Sequence, residues 1–340
     1  MFGYKMSEYD KKVYEEEIKD FLPENIVDSH THVWRVEDDR KNRVLYPDYW
    51  TDRVGGQCTV EDLKQTYLDL FPDKKVIPVL FGWPAQYLDK GNSYVSEVGR
   101  NNGYPTLFLT DYNMTPEFLE EEVIKGGFQG LKPYLDNCKA GVNGADAGIF
   151  DFLPEKHLKV ADKYGWKVVL HISKPDRLKN PTNIRQLMEI EQKYPNVKLI
   201  VAHIGRAYAP EDIGDAFETL KHTENMIFDF CANTLPEATE KCLEAVGTKR
   251  VLFGTDMPIA KMKMYRICEN GNYVNVVPRG LYGDLTGAAH MRESDEEKIT
   301  NFTYEIIRGF KKNAEKLGLT KEEVADIMCN NAAGLYGIKF

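Results

Sequence analysis

The sequence predicts an α/β chain closed into a (β/α)8 TIM barrel, with an N-terminal helical extension, long loops after strands 1 and 8, and C-terminal helices. Three observations predict it. Eight short β-rich runs recur along the chain and end in a polar residue or glycine, as parallel strands buried on both faces do. Stretches of helical periodicity with start and stop signals separate them. The length of 340 residues suits one elaborated barrel.

Residues 1–23 set Val13, Ile18, Phe21 and Leu22 among many charges and read as an appended helix. Strand 1 is 26–32. The segment 33–57, with Trp34, Arg35, Tyr46, Tyr49, Trp50 and Arg53, interrupts the first βα unit. Thr59-Val60-Glu61-Asp62 opens a helix, strands 76–81 and 106–109 follow, and Thr115-Pro116-Glu117 opens another helix with proline at its first position. Strand 128–135 leads to helix 154–164, which Gly165 ends. Strand 167–172, helix 181–194, strand 198–203, helix 210–222, strand 226–231 and helix 236–246 repeat the alternation, the last ending at Gly247. Strand 250–256 is the eighth.

A long loop, 257–292, then carries Tyr265, Arg266, Tyr273, Arg279, Tyr282 and His290. Loops of this length are usually lids or binding elements. Helices 297–316 and 321–335 close the chain, and Thr320 with Glu323 makes a capping box for the second. No linker or repeat divides the chain, so 1–340 is expected to be a single domain. An open doubly wound sheet is the structural alternative. Its nucleotide site has no support, because Gly126-Gly127-Phe128-Gln129-Gly130 precedes a strand instead of joining a strand to a helix.

Hydrophobic residues make up 42% and charged residues 29%, values of an ordinary globular protein. The net charge of −9, without a dense Lys/Arg block, argues against nucleic acid, and no apolar run is long enough for a membrane span. A small-molecule substrate and a cytoplasmic location are expected, since residues 1–20 lack the apolar core of a secretory signal. The six cysteines form no C-x-x-C pair and read as reduced thiols.

The chemistry is concentrated at strand ends. In Asp28-Ser29-His30-Thr31-His32, residues two apart share a strand face, so both imidazoles point at one spot, as in a metal grip. Of seven histidines, four fall at C-terminal strand ends: His30, His32, His171 and His203. Asp256 ends the eighth strand. All five side chains are expected at one barrel mouth. Lys132 lies toward the end of the fourth strand, and Tyr134 and Arg206, a few residues beyond Lys132 and His203, are weaker substrate contacts. His157, His222 and His290 read as surface or loop residues, although His290 could reach the site. The aromatic side chains of 33–57 are expected to pack that loop.

Six stretches resemble the amidohydrolase superfamily, and within it the amidohydrolase-related group of metal-dependent hydrolases, lactonases and non-oxidative decarboxylases. They are Asp28 to His32, Gly130-Leu131-Lys132, His171, Ala202-His203-Ile204-Gly205, Phe253-Gly254-Thr255-Asp256-Met257-Pro258 and Asn330-Asn331-Ala332-Ala333-Gly334-Leu335-Tyr336-Gly337. The resemblance spans nearly the whole chain. It implies one divalent ion per chain, usually zinc, with manganese the other possibility, held by His30, His32, His171 and Asp256. It also implies proton transfer or polarisation by His203, and general-base work by Asp256. Zinc lowers the pKa of its water to about 7. Lys132 would hold a substrate anion or, carboxylated, bridge a second metal; the first reading is favoured. The expected reaction is hydrolysis of a lactone, ester or amide of a carboxylated small molecule; the alternative is decarboxylation of an aromatic or unsaturated acid. A non-catalytic barrel with structural zinc would normally have lost a ligand. A homodimer is possible.

Overall fold

The computed structural model describes residues 5–39 and 50–340. Among them eight parallel strands follow the expected order: β1 (Asn25–His32), β2 (Lys75–Phe81), β3 (Phe108–Leu109), β4 (Gly130–Lys132), β5 (Lys167–Leu170), β6 (Lys198–Val201), β7 (Ile227–Asp229) and β8 (Val251–Leu252). β1 pairs with β2, and β3 to β8 pair in sequence order. Leu80 links the two groups, donating its N–H to Pro105 O and accepting from Leu107 N–H. On the other side Ser29 N–H reaches Phe253 O, Asp256 N–H reaches His30 O, and His32 N–H reaches Met257 O. The hydrogen-bonded order thus returns to β1, which is the connectivity of a barrel.

The uninterrupted apolar runs have a packing cause. Val27, Val79, Leu107, Val169, Ile200 and Leu252 form an inner cluster, while their neighbours Ile26, Leu80, Phe108, Val168, Leu199 and Val251 belong to the outer cluster under the helices. Both faces of each strand are therefore buried. Ala332, Ala333 and Tyr336, from the helix Asn331–Tyr336, join the inner cluster and plug one end.

Several strands are shorter than the β-rich runs. β4 ends at Lys132, because Pro133 has no N–H for the ladder. β8 ends at Leu252, and Asp256 beyond it takes a left-handed φ of 70°. The chain leaves the sheet where side chains must turn into the mouth.

Several helices start where capping chemistry places them. Thr59 and Asp62 form a capping box for Val60–Leu70, Thr115 caps Pro116–Gly126, and Thr320 with Glu323 caps Lys321–Ala325. The expected helix 210–222 breaks into Pro210–Ile213 and Ala216–Leu220 at Gly214, whose φ is 53°. The N-terminal extension is helical over Glu8–Val13 and continues as a π-turn over Tyr14–Ile18. Within 33–57, residues 40–49, and so Tyr46 and Tyr49, lie outside the described residues; Trp34 is buried and stacks on Trp83 at 5.0 Å. His157 corrects the surface expectation: it is fully buried in Glu155–Tyr164, where the ring bonds Met114 O at 2.9 Å.

The segment 257–292 is more than a loop. With the two residues that follow, it forms a three-stranded sheet of β9 (Tyr265–Glu269), β10 (Asn272–Pro278) and β11 (Met291–Ser294), with β9 and β10 antiparallel. The turn between β9 and β10 is Asn270-Gly271, at φ 50° and 75°. Asn-Gly between two β-prone runs is a strong short-range hairpin signal, and it was present in the sequence. All six cysteines are free, and no helix among the described residues is long and apolar enough to cross a membrane.

Candidate metal centre

β1 delivers His30 and His32 to the same side, with ring centroids 5.8 Å apart. Each Nδ1 meets an acceptor: Asp229 Oδ2 at 3.0 Å for His30, and Gly82 O at 2.9 Å for His32. Neutral rings therefore carry the proton on Nδ1 and leave Nε2 unprotonated, with a lone pair that can bind a cation. Both Nε2 atoms lie 3.6 Å from Asp256 Oδ1. That is too long for a hydrogen bond, whereas tetrahedral ligands at about 2.1 Å from an ion sit about 3.4 Å from each other. The donor atoms of His30, His32 and Asp256 lie within 4.8 Å of one another, so the residues present fit a divalent ion.

Protonation states match that fit. Burial, joined by the nearby Lys132 charge, pushes the His30 pKa well below its usual value. Burial opposes the charge on Asp256, but the neighbouring His32, His203 and His30 outweigh it and hold the carboxyl below the usual range. Close packing is part of the arrangement: a Cβ on Gly254 would lie 2.9 Å from His30 Cβ and 3.0 Å from Cys231 Cβ. Asp28 joins β1 to the exit of β8, accepting from Thr255 N–H at 2.8 Å and from the Thr255 hydroxyl at 2.5 Å. Tyr67 donates to the same carboxylate at 2.8 Å. Burial raises Asp28 to about 7 despite these bonds.

His203 ends the run after β6 and lies over the cluster, its ring 5.0 Å from that of His30. Its Nδ1 is 2.9 Å from Cys231 O, which can only accept, so Nε2 of the neutral ring is an acceptor too. Burial lowers its pKa. His171 lies 5.1 Å from His203, ring to ring, and stands outside the three-donor group. Its Nδ1 is buried without a hydrogen-bond partner. Burial, then the charges of His203, Arg206 and Lys132, keep His171 neutral.

Lys132 is fully buried, with Nζ 3.4 Å from His30 Nε2 and over the Phe81 and Tyr134 rings at 4.8 and 5.5 Å. Burial lowers its pKa to about 8, against the pull of Asp229, Cys231 and Asp256. Tyr134 is half-buried, 5.4 Å from His171. Arg206 is half-buried as well, and its charge acts on His171, Tyr134 and Tyr208. His290 is exposed and stacks on Tyr273 at 4.4 Å.

Asp229 was missed in the sequence. At the end of β7 and fully buried, its carboxylate accepts from His30 Nδ1, from His203 N–H at 2.8 Å, from Cys231 N–H at 3.2 Å and from the Cys231 thiol at 2.7 Å. The signal was available: Ile227-Phe228-Asp229 is an apolar run ending in a carboxylate, at the same end of the strands as His30, His32 and Asp256.

A family model described as Amidohydrolase matches residues 27–338. No curated protein matches the sequence. Among solved structures, a probable 2-pyrone-4,6-dicarboxylic acid hydrolase from Acinetobacter baumannii is 17% identical, covering 92% of this chain and 99% of its own, with a TM-score of 0.57. A 2,6-dihydroxybenzoate decarboxylase from Rhizobium is 12% identical over 93% and 99%, at 0.58. An amidohydrolase from Burkholderia multivorans with bound zinc is 13% identical over 92% and 99%, at 0.59. At these identities the likeness is one of fold.

Proposed function

We propose, since this chain belongs to the amidohydrolase family, that it is a metal-dependent hydrolase of small carboxylated lactones, esters or amides. The observation that carries the reading is the convergence of His30 Nε2, His32 Nε2 and Asp256 Oδ1 at spacings suited to one ion. These three would hold the metal, with His171 as fourth donor, and zinc is the ion favoured by an imidazole-rich set with manganese second. Such an ion, when bound, polarises a carbonyl oxygen and makes water acidic enough to attack at neutral pH.

The chain's own residues do the rest. Asp256, kept ionised, accepts the proton of the attacking water. His203 offers its Nε2 lone pair to a proton on the water or substrate. Lys132, and at the rim Arg206, supply positive charge for a substrate carboxylate, and Tyr134 shapes the wall beside His171. A second reading, non-oxidative decarboxylation, draws on one observation: burial brings the Lys132 ammonium to a pKa of about 8, where it can protonate a carbon that loses CO2.

A screen of small lactones and carboxylic acids with the zinc-loaded protein, recording acid release and CO2 release in parallel, separates the two. Acid release without CO2 supports hydrolysis, CO2 release supports the second reading, and turnover confined to neutral or cationic substrates refutes the anion-binding role of Lys132.

A further inference from the structure

We infer that Asn233 is a positioning residue that holds His203 in place by clamping a left-handed turn. His203, Ile204, Gly205 and Arg206 take φ of 57, 48, 59 and 61°, four left-handed residues in a row of which one is glycine. Residues with a Cβ avoid this region, and a run of them persists only where surrounding groups over-determine it. The exit of β7 supplies those groups. At the start of the turn, Asp229 accepts from His203 N–H. Across it, the Asn233 amide donates to His203 O at 3.2 Å and to Ala207 O at 2.9 Å, bridging both ends with one Nδ2. Its Oδ1 accepts from Leu235 N–H at 2.9 Å, which sets the orientation of the amide.

The position is buried, 2% exposed, so water offers no substitute. It requires two donors and one acceptor on a short side chain, a set that Asp, Ser and Leu lack. The clamp acts on the residues that the turn carries, His203 and Arg206. It makes no bond to His30, His32 or Asp256, which come from β1 and the exit of β8. Released from the amide, the turn relaxes toward ordinary backbone and takes the His203 ring away from Cys231 O, while the three-donor cluster keeps its shape. The importance of that ring for turnover rests on the function proposed above; its placement does not.

The test uses the full chain with Asn233→Ala and Asn233→Asp, the second nearly isosteric but with a carboxylate oxygen facing two carbonyls. Zinc alone, titrated against a competing chelator, is expected to bind with affinity within about threefold of the parent. Imidazole 15N spectra, with His203 assigned through His203→Gln, are expected to change from a single Nδ1–H tautomer to an averaged signal. For a substrate that the screen returns, Asn233→Ala should lower kcat/KM about as far as His203→Gln does, and by less than about twofold when added to His203→Gln. An unchanged His203 signal, effects that multiply in the double variant, zinc affinity that falls in both variants, or loss of the cooperative thermal transition in both would each overturn the proposal. If His203→Gln itself leaves turnover intact, the proposed function fails, and the spectra still decide the role of Asn233.

Discussion

Asn in place of Asp229 is the most informative perturbation of the centre, because it changes one atom and its consequence can be worked out. The two carboxylate oxygens are loaded unequally: among the described residues, Oδ1 accepts from His203 N–H, Cys231 N–H and the Cys231 thiol, whereas Oδ2 accepts only from His30 Nδ1. An asparagine can present one oxygen, and three fixed donors outweigh one imidazole that can change tautomer. The amide nitrogen therefore turns toward His30, whose Nδ1 must become an acceptor while the proton moves to Nε2. That proton occupies the lone pair facing Asp256 Oδ1. The ring must give up its preferred tautomer before a cation can bind, and changes in such partners of metal-binding histidines typically weaken affinity by about 10–100-fold, or about 1.4–2.7 kcal/mol. The backbone donors stay satisfied, so the thermal transition should stay close to the parent's. Chelator competition with zinc measures the first quantity and a thermal scan the second. Asp229→Asn with parental zinc affinity would refute the tautomer argument. A lowered thermal transition with parental zinc affinity would show that the carboxylate serves packing alone.

Three further outcomes are expected. The double change His30→Ala with His32→Ala should abolish stoichiometric metal, which elemental analysis of the purified protein reads directly; full occupancy would refute the ligand assignment. Asp10, fully buried, pairs with Lys263 at 2.7 Å and accepts from Thr300 at 2.9 Å; burial opposes its charge, yet Lys263 and Ser7 hold its pKa below the usual 3.8. Its stabilisation is thus present above that value and lost as pH falls through the lower folded pKa, so Asp10→Asn should cost about 3–5 kcal/mol near neutrality and progressively less in acid; denaturant titrations showing a pH-independent gap would contradict this. Gly271→Ala should cost about 1–2 kcal/mol locally, since φ there is 75°; hydrogen exchange at Val274 and Val276 should quicken while β5 and β6 stay protected, and unchanged exchange would refute the turn's role in holding β9 to β10.

The alternation of eight apolar runs with capped helices was legible because each run needs only its neighbours on either face to be apolar, and because Thr59, Thr115 and Thr320 state helix starts through local hydrogen bonds. The pairing of His30 with His32 was legible for the same local reason, as a strand repeats every two residues. The ends of β4 and β8 were overextended, because β-propensity continues past the point where Pro133 and the left-handed Asp256 leave the ladder. The hairpin at Asn270-Gly271 was legible in principle and was passed over as loop.

Local periodicity by itself determined the strand order, most of the helices between the strands, the barrel class and the strand-end positions of His30, His32, His171, His203 and Asp256, while the helix Leu88–Asn102 between β2 and β3 was passed over. Only the tertiary structure decided that His30, His32 and Asp256 form a compact donor group while His171 stands beside His203, that Asp229 binds His30, His203 and Cys231 at once, and that Asn233 spans a left-handed turn. These are distances and angles between segments up to 226 residues apart in number, Asp256 less His30, and no local pattern encodes them. They arise when the strand order closes on itself and forces remote side chains into one buried volume, where each polar group must find a partner.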